Sequence, residues 1–297
     1  MTRKALALLG ALLATAGCAA RHAPSGRLDV VAAENVWGSI AAQLGGDRVS
    51  VRSIITSPAT DPHDYEPNAA DARSMAEAEL TIVNGIGYDG WASRLLASDG
   101  PGGRVDLDVG DLLGLHDGAN PHQWYSPAAV REVIGAIVAG YDKLDPSGSA
   151  YYASRKRRFL SVSLTRYDAL RAEIRARFAG VPVGYSESIF QPLGESLGLR
   201  LLTPYGFAKA TAEGSEVSAA DKEATERQAR EREIAVWVFN SQNVTPEVQQ
   251  VTAIARAEKI PVATVTETLV PATATFEQWQ VAELERLLAA LHRATGR

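Results

Sequence analysis

Short apolar segments alternate with longer amphipathic ones along residues 28–144. Segments of four to seven residues rich in Val, Ile and Leu are typical of strands buried in a sheet. The segments between them repeat apolar residues at helical spacing, and Asn68 and Ser126 stand where helix N-caps are expected. The pattern predicts strands at 28–33, 49–55, 80–84 and 105–108, and helices at 36–44, 69–78, 88–97 and 127–144.

The same alternation returns after Gly180. The clearest strand is 234–239 (IAVWVF), because an almost continuous apolar run is expected of a strand covered on both faces. Residues 208–216 are polar and predict a loop, and Ser218 with Asp221 has the spacing of a capping box. The pattern predicts strands at 181–185, 200–203, 234–239 and 262–266, and helices at 190–197, 219–232, 246–258 and 276–294.

One long helix separates the two alternating regions. Residues 149–178 contain no Gly or Pro, and thirty helical residues would reach ~45 Å. Strands alternating with helices indicate parallel sheets, so the predicted fold class is α/β, with two lobes joined by this helix. The predicted domains are an N-terminal lobe at 28–146, the connecting helix at 147–179 and a C-terminal lobe at 180–297.

The N-terminus predicts export. Arg3 and Lys4 precede an apolar run of about ten residues, which is too short to cross a bilayer. The run ends at Cys18, the single cysteine, and the stretch around it resembles a bacterial lipobox, in which the cysteine is lipidated. Thr15 departs from that pattern, and the alternative is an ordinary cleaved signal. We predict a signal peptide at 1–17, a lipidated tether at 18–27 and a location on the outer face of the cytoplasmic membrane or in the periplasm.

Composition narrows the class of function. The 297 residues carry a net charge of −5 with scattered basic residues, so nothing predicts nucleic-acid binding. A single cysteine excludes an internal disulfide. The chain is long enough for two lobes with large cores.

Four metal-capable side chains follow predicted strands. His63 lies past the second strand, on a loop stiffened by prolines at 62 and 67, and His122 lies past the fourth. Glu187 and Glu267 follow the strands 181–185 and 262–266. Because ligands of open α/β sheets bind at the carboxyl ends of the strands, these residues predict a divalent-cation site between the lobes. We interpret His116 as exposed and His292 as a surface residue of the last helix.

Two enzyme classes are alternatives to a protein that only binds a cation between its lobes. A metal-dependent hydrolase needs an open coordination position and a general base, and no HExxH-like motif occurs. The residues 184–188 (GYSES) are similar to the nucleophile elbow of serine hydrolases, but Ser188 takes the place of its final glycine.

Several motifs occur in an order that resembles one family. DPHDYEP, NPHQWYSP, SES, TPYGFAKATAEGSE, NSQN and VTETL surround the central helix. Together they resemble the substrate-binding lipoproteins of zinc and manganese ABC importers, over nearly all of the chain after the leader. The resemblance implies two pseudo-symmetric α/β lobes joined by a rigid helix, with a metal ion held between them.

The resemblance also implies roles for particular residues. His63 and His122 match the first two family ligands, Glu187 the third, and Glu267 a fourth that is usually Asp. Zn²⁺ and Mn²⁺ both suit such a set and remain open as the transported ion. The implied partner is a membrane ABC permease, the chain is expected to be a monomer and not an enzyme, and an adhesin role stays an alternative. Asp64, Glu66, Trp124 and the turn 240–242 are candidates for orienting the ligands; Trp124 and Tyr125 suit core packing equally.

Overall fold

The protein contains two four-stranded sheets in which every strand pair is parallel. The computed structural model describes residues 26–60, 62, 65–97 and 102–297; the predicted signal peptide, Cys18 and His63 lie outside these residues. The predicted α/β class with two similar lobes is confirmed. No helix within the described ranges combines the length and the apolar character that crossing a bilayer requires.

The two sheets have the same topology. The strand orders are β2-β1-β3-β4 and β6-β5-β7-β8, so each strand of the second sheet has a counterpart four places earlier in the first. In the first sheet Ala32 pairs with Ser53 and Ile82, and in the second Val183 pairs with Leu201 and Val236. The strands are β1 Leu28–Glu34, β2 Val49–Ile55, β3 Leu80–Val83, β4 Val105–Asp108, β5 Pro182–Tyr185, β6 Arg200–Leu201, β7 Val236–Asn240 and β8 Val262–Val265.

Twelve α-helices connect these strands and cover the sheets within the described residues. Three of them begin at the predicted caps: the side chains of Asn68, Ser126 and Ser218 each accept a backbone N–H of the first turn. The helices are α1 Asn35–Gly45, α2 Ala69–Glu77, α3 Gly90–Leu96, α4 Val109–Leu113, α5 Pro127–Leu144, α6 Ser149–Arg158, α7 Thr165–Phe178, α8 Gln191–Ser196, α9 Tyr205–Ala212, α10 Ala219–Arg230, α11 Pro246–Ala257 and α12 Phe276–Thr295.

The connecting helix differs from the uninterrupted one that the sequence predicts. A π-helical segment, Phe159–Ser163, separates α6 from α7. A π turn inserts an extra residue and rotates the helix face that follows it. The rotation lets Phe159 and, about two turns later, Tyr167 both reach the core, where each is at most 2% exposed.

The loop predicted over 208–216 is also partly wrong, because its first half belongs to α9. Pro204 precedes the helix, where its fixed φ suits a helix start. Gly206 lets α9 approach α10 closely: a Cβ there would lie 2.4 Å from a carboxylate oxygen of Asp221. This helix therefore depends on a contact with a distant segment, which the local pattern does not reveal.

One apolar core runs through both lobes. It joins residues of the two sheets with α7 and α12, and smaller clusters fill the outer face of each lobe. Helix α12 returns from the second lobe to the first, where the backbone N–H of Phe276 donates to Ser39 Oγ at 2.9 Å and Gln43 Nε2 donates to Glu277 at 2.8 Å. The lobes are thus held by α12 as well as by the connecting helices.

Candidate metal centre

Three of the four predicted ligands meet where the carboxyl ends of the two sheets face each other. His122 Nε2 lies 3.5 Å from Glu267 Oε2 and 3.7 Å from Glu187 Oε1. The three ligand atoms all lie within 4.8 Å of one another. The fourth predicted ligand, His63, is outside the described residues, so this arrangement is stated for the other three only. One imidazole nitrogen and two carboxylate oxygens form a donor set suited to a divalent transition metal.

The cluster is buried on one side and reachable on the other. The side chains of His122 and Glu187 are 0% and 1% exposed, whereas Glu267 is 12% exposed. A cavity of about 130 Å³ opens beside Glu267, lined by Pro58 and Pro62 of the first lobe and by Gln242 of the second. Gln242 Nε2 donates to the Pro58 carbonyl at 2.8 Å, so one hydrogen bond links the lobes at this opening.

Asn120 fixes the orientation and the tautomer of His122. Its Oδ1 lies 2.9 Å from His122 Nδ1 and also accepts the His122 backbone N–H, while its Nδ2 donates to the Ser188 carbonyl at 2.7 Å. Because an amide oxygen only accepts, Nδ1 carries a proton, and Nε2 is the ring nitrogen that faces the carboxylates and can bind an ion. Metal-binding histidines in proteins are generally held by such a second hydrogen bond.

Asn240, the last residue of β7, holds both glutamates. Its Nδ2 donates to Glu187 Oε2 and to Glu267 Oε1, each at 2.8 Å. The amide orientation is set by the Gln242 backbone N–H, which donates to Asn240 Oδ1 at 3.0 Å. The remaining oxygen of each carboxylate is the one that faces His122.

Aromatic side chains form the inner wall of the site. Tyr88 donates its hydroxyl to Glu267 Oε2 at 2.9 Å, and its ring centroid lies 5.8 Å from that of His122. Trp124 is fully buried between the rings of His122, at 5.4 Å, and Trp37, at 6.3 Å, so it serves both the core and the wall. Tyr125 belongs to the core, where its hydroxyl lies between the Thr266 carbonyl, at 3.0 Å, and the closer Glu283 carboxyl group.

The two carboxylates share one negative charge when no cation is bound. Burial, and then the charge of Glu267, raises the pKa of Glu187 well above its ordinary value. Burial also opposes ionisation of Glu267, but the attraction of His122 and the hydrogen bonds from Glu187 and Tyr88 outweigh it and lower its pKa to about 2. A divalent ion would favour ionisation of both groups, since it supplies the positive charge that the site lacks.

A rigid loop supports this wall from the first lobe. Asp89, fully buried, accepts the backbone N–H groups of Asn84 and Gly85 at 2.7 and 2.8 Å. The Asn84 side chain in turn donates to the Pro121 carbonyl at 2.9 Å, directly before His122. The segment that carries Tyr88 and the one that carries His122 are therefore tied together.

The model of the family "zinc-uptake complex component A, periplasmic" matches residues 30–290. The chain belongs to this family.

The chain is also similar to individual metal-binding proteins, and the solved structures share its fold. The chain is 26% identical to the manganese-binding lipoprotein MntA of Halalkalibacterium halodurans over 198 residues, which are 63% of this chain and 64% of that protein. It is 26% identical to the iron-binding protein YfeA of Yersinia pestis, over 80% of this chain and 68% of that one. The Mn-bound periplasmic metal binding protein of Candidatus Liberibacter asiaticus superposes with a TM-score of 0.74 at 19% identity, over 89% of this chain and all of that one. FpvC of Pseudomonas aeruginosa, in complex with Mn²⁺, gives a TM-score of 0.72 at 21% identity, over 90% and 99%.

Two other sequence candidates are on the surface, since His116 is exposed as predicted and Glu66 is exposed; Asp64 lies outside the described residues. Ser186, the central residue of the elbow-like sequence, is 1% exposed and accepts the backbone N–H of Asn240, so its hydroxyl connects two strand ends.

Sequence reasoning missed Asn120 and Tyr88 as partners of the ligands. The position of Asn120, two residues before His122, was a signal for it, because an Asn side-chain oxygen can accept the backbone N–H two residues later. No local signal points to Tyr88, which is 179 residues from the glutamate it contacts.

Proposed function

We propose that this protein captures a divalent transition metal, Zn²⁺ or Mn²⁺, outside the cytoplasm and passes it to a membrane ABC permease for import. The observation that carries the proposal is the convergence of His122 Nε2 with one oxygen of Glu187 and one of Glu267. Membership of the zinc-uptake component A family supports it. We propose His63 as the fourth ligand, from the lobe opposite the glutamates.

This donor set suits a protein that binds and carries a metal ion better than it suits a metal-dependent enzyme. A catalytic metal keeps one coordination position open for water and has a general base beside it. Four protein ligands leave no such position on a four-coordinate ion, and the second oxygens of Glu187 and Glu267 are occupied by Asn240. We therefore propose a binding protein and not a metal-dependent hydrolase.

The proposal extends to how the protein is held and built. We propose export by the leader 1–17, anchoring through lipidated Cys18, and a monomer with a tether at 18–27. The lobes would be 28–146 and 180–297, with 147–179 between them. Because the continuous core and α12 hold the lobes together, metal binding should close the cleft only slightly.

Titration of metal-free protein with Zn²⁺ and Mn²⁺, followed by elemental analysis, tests the proposal. We expect one equivalent to bind the unchanged protein. His122→Ala should weaken binding by more than the about 100-fold that loss of a ligand's hydrogen-bond partner costs. His116→Ala is the matched control, because His116 is exposed and outside the cluster.

Two results would contradict the proposal. One is a metal-free protein that takes up neither ion. The other is a His122→Ala variant that binds either ion as tightly as the His116→Ala control does.

A further inference from the structure

We infer that Asn240 limits Glu187 and Glu267 to one ligand oxygen each, and that it thereby favours four-coordinate Zn²⁺ over Mn²⁺. The inference rests on the proposed metal-capture function and adds a determinant of metal preference to it. Asn240 is not itself a ligand: it acts through the two carboxylates.

First, the two oxygens of each carboxylate contact different groups. A single nitrogen, Asn240 Nδ2, donates one hydrogen to Glu187 Oε2 and the other to Glu267 Oε1, both at 2.8 Å. The opposite oxygens, Glu187 Oε1 and Glu267 Oε2, are those 3.7 and 3.5 Å from His122 Nε2. Glu187 Oε1 and Glu267 Oε2 therefore face His122, and Glu267 Oε2 also accepts the Tyr88 hydroxyl, whereas the other oxygen of each glutamate is held by Asn240.

The second step is that Asn240 cannot readily release the glutamates. The side chain is fully buried, so water does not replace a lost acceptor. Its Oδ1 accepts the Gln242 backbone N–H at 3.0 Å, and its own backbone N–H donates to Ser186 Oγ at 3.0 Å. For either carboxylate to chelate an ion through both oxygens, the oxygen that faces Asn240 would have to turn toward the ion, which would lengthen and bend its hydrogen bond from a buried amide N–H.

The third step compares the spacing with coordination geometry. Ligand atoms about 2.1 Å from a tetrahedral ion are about 3.4 Å apart, whereas adjacent ligands of an octahedral ion at that bond length are about 3.0 Å apart. The distances of 3.5 and 3.7 Å are closer to the tetrahedral value. With three single-atom donors and one further ligand the set is four-coordinate, as Zn²⁺ prefers, while Mn²⁺ favours six oxygen-rich ligands.

Asn240→Ala tests the inference, because it removes both donors while leaving all the ligand side chains. We expect the ratio of the Mn²⁺ to the Zn²⁺ dissociation constant to fall at least about tenfold, since both carboxylates become free to bind through two oxygens. Asn240→Ser keeps one donor and should give an intermediate ratio. Gln228→Ala is the matched control, because Gln228 is a buried amide of the same lobe that donates to the Leu202 carbonyl and contacts neither glutamate.

Co²⁺ reports the coordination number directly, because tetrahedral Co²⁺ absorbs visible light far more strongly than six-coordinate Co²⁺. We expect strong bands in the unchanged protein and in Gln228→Ala, and weaker bands in Asn240→Ala. Weak six-coordinate bands in a protein that binds one equivalent, or an unaltered metal ratio in Asn240→Ala, would overturn the inference but leave metal capture standing. Failure of the unchanged protein to bind any metal would overturn the proposed function itself.

Discussion

Replacing Glu283 by Gln should make the free energy of unfolding less dependent on pH. Glu283 lies on α12 and is 2% exposed. Tyr125 donates to its Oε2 at 2.5 Å and Thr266 donates to its Oε1 at 3.1 Å, while Arg286 is 3.9 Å away. Burial outweighs these contacts and raises the pKa of Glu283 from its ordinary value of 4.5 to about 8.

The sign follows from proton linkage. The folded protein holds the Glu283 proton more tightly than the unfolded chain does, so this group stabilises the fold fully below pH 4.5 and the contribution is lost as pH rises toward 8. At about 1.4 kcal/mol for each pKa unit, the loss between pH 5 and pH 8 is roughly 3–4 kcal/mol. The amide of Glu283→Gln does not titrate, and it can accept from Thr266 while donating to the Tyr125 hydroxyl.

Urea unfolding of metal-free protein at pH 5, 6, 7 and 8 measures the effect. A chelator is present throughout so that metal binding does not contribute. Tryptophan fluorescence and circular dichroism should give coincident transitions before a two-state free energy is used. The free energy of Glu283→Gln minus that of the unchanged protein should rise by roughly 3–4 kcal/mol from pH 5 to pH 8, and the subtraction cancels the other titrating groups.

Glu285→Gln is the matched control. Glu285 lies on the same helix, but its side chain is 50% exposed and pairs with Arg166 on the surface. Its difference from the unchanged protein should stay small at every pH, because exposed ion pairs contribute little. If the Glu283→Gln difference is as flat with pH as that of the control, the burial argument for Glu283 is wrong.

Two further predictions concern the ligand support and the packing of α5. Asn120→Ala should weaken Zn²⁺ binding about 10–100-fold in a calorimetric titration with little change in melting of the metal-free protein, because His122 loses its orienting partner; unchanged affinity would contradict this role. Gly140→Ala should destabilise the protein by about 1–3 kcal/mol in urea unfolding, because the new Cβ would lie 2.6 Å from Leu80 Cδ1. Gly135→Ala, on the same helix with its nearest neighbour at 3.6 Å, should instead stabilise it by about 0.5–1 kcal/mol; equal effects at both sites would refute the packing argument.

The elements that could be predicted from the sequence are those whose signals are local. Strand β7 was visible as an apolar run, and α2 and α5 were visible from the caps Asn68 and Ser126. The π segment between α6 and α7 contains no Gly or Pro, and it exists because two successive helix faces must both meet the core. Gly206 of α9 packs closely against Asp221 of α10, and the periodicity of the segment 208–216 gives no sign of that contact.

In the site, the candidate ligands could be predicted from the sequence, but most of the side chains that orient them could not. His122, Glu187 and Glu267 were predictable as a group because one rule, that parallel strands end at a common edge, brings their segments together. The hydrogen bonds that orient these side chains follow no such rule, since Asn240 and Glu187 are 53 residues apart and the contact depends on where β7 ends. The predicted strand stopped one residue short of Asn240, although the turn that contains it was a candidate.

This difference bears on what a ligand set alone can determine. Two imidazoles and two carboxylates suit either Zn²⁺ or Mn²⁺, depending on whether each carboxylate binds through one oxygen or two. On the inference drawn above, that number is set by a neutral amide, Asn240, which the inventory of charged and metal-binding residues omits. On the same inference, metal preference depends on the hydrogen-bond donors behind Glu187 and Glu267, and a chain with the same proposed ligands but no amide at this strand end is predicted to rank the two ions differently.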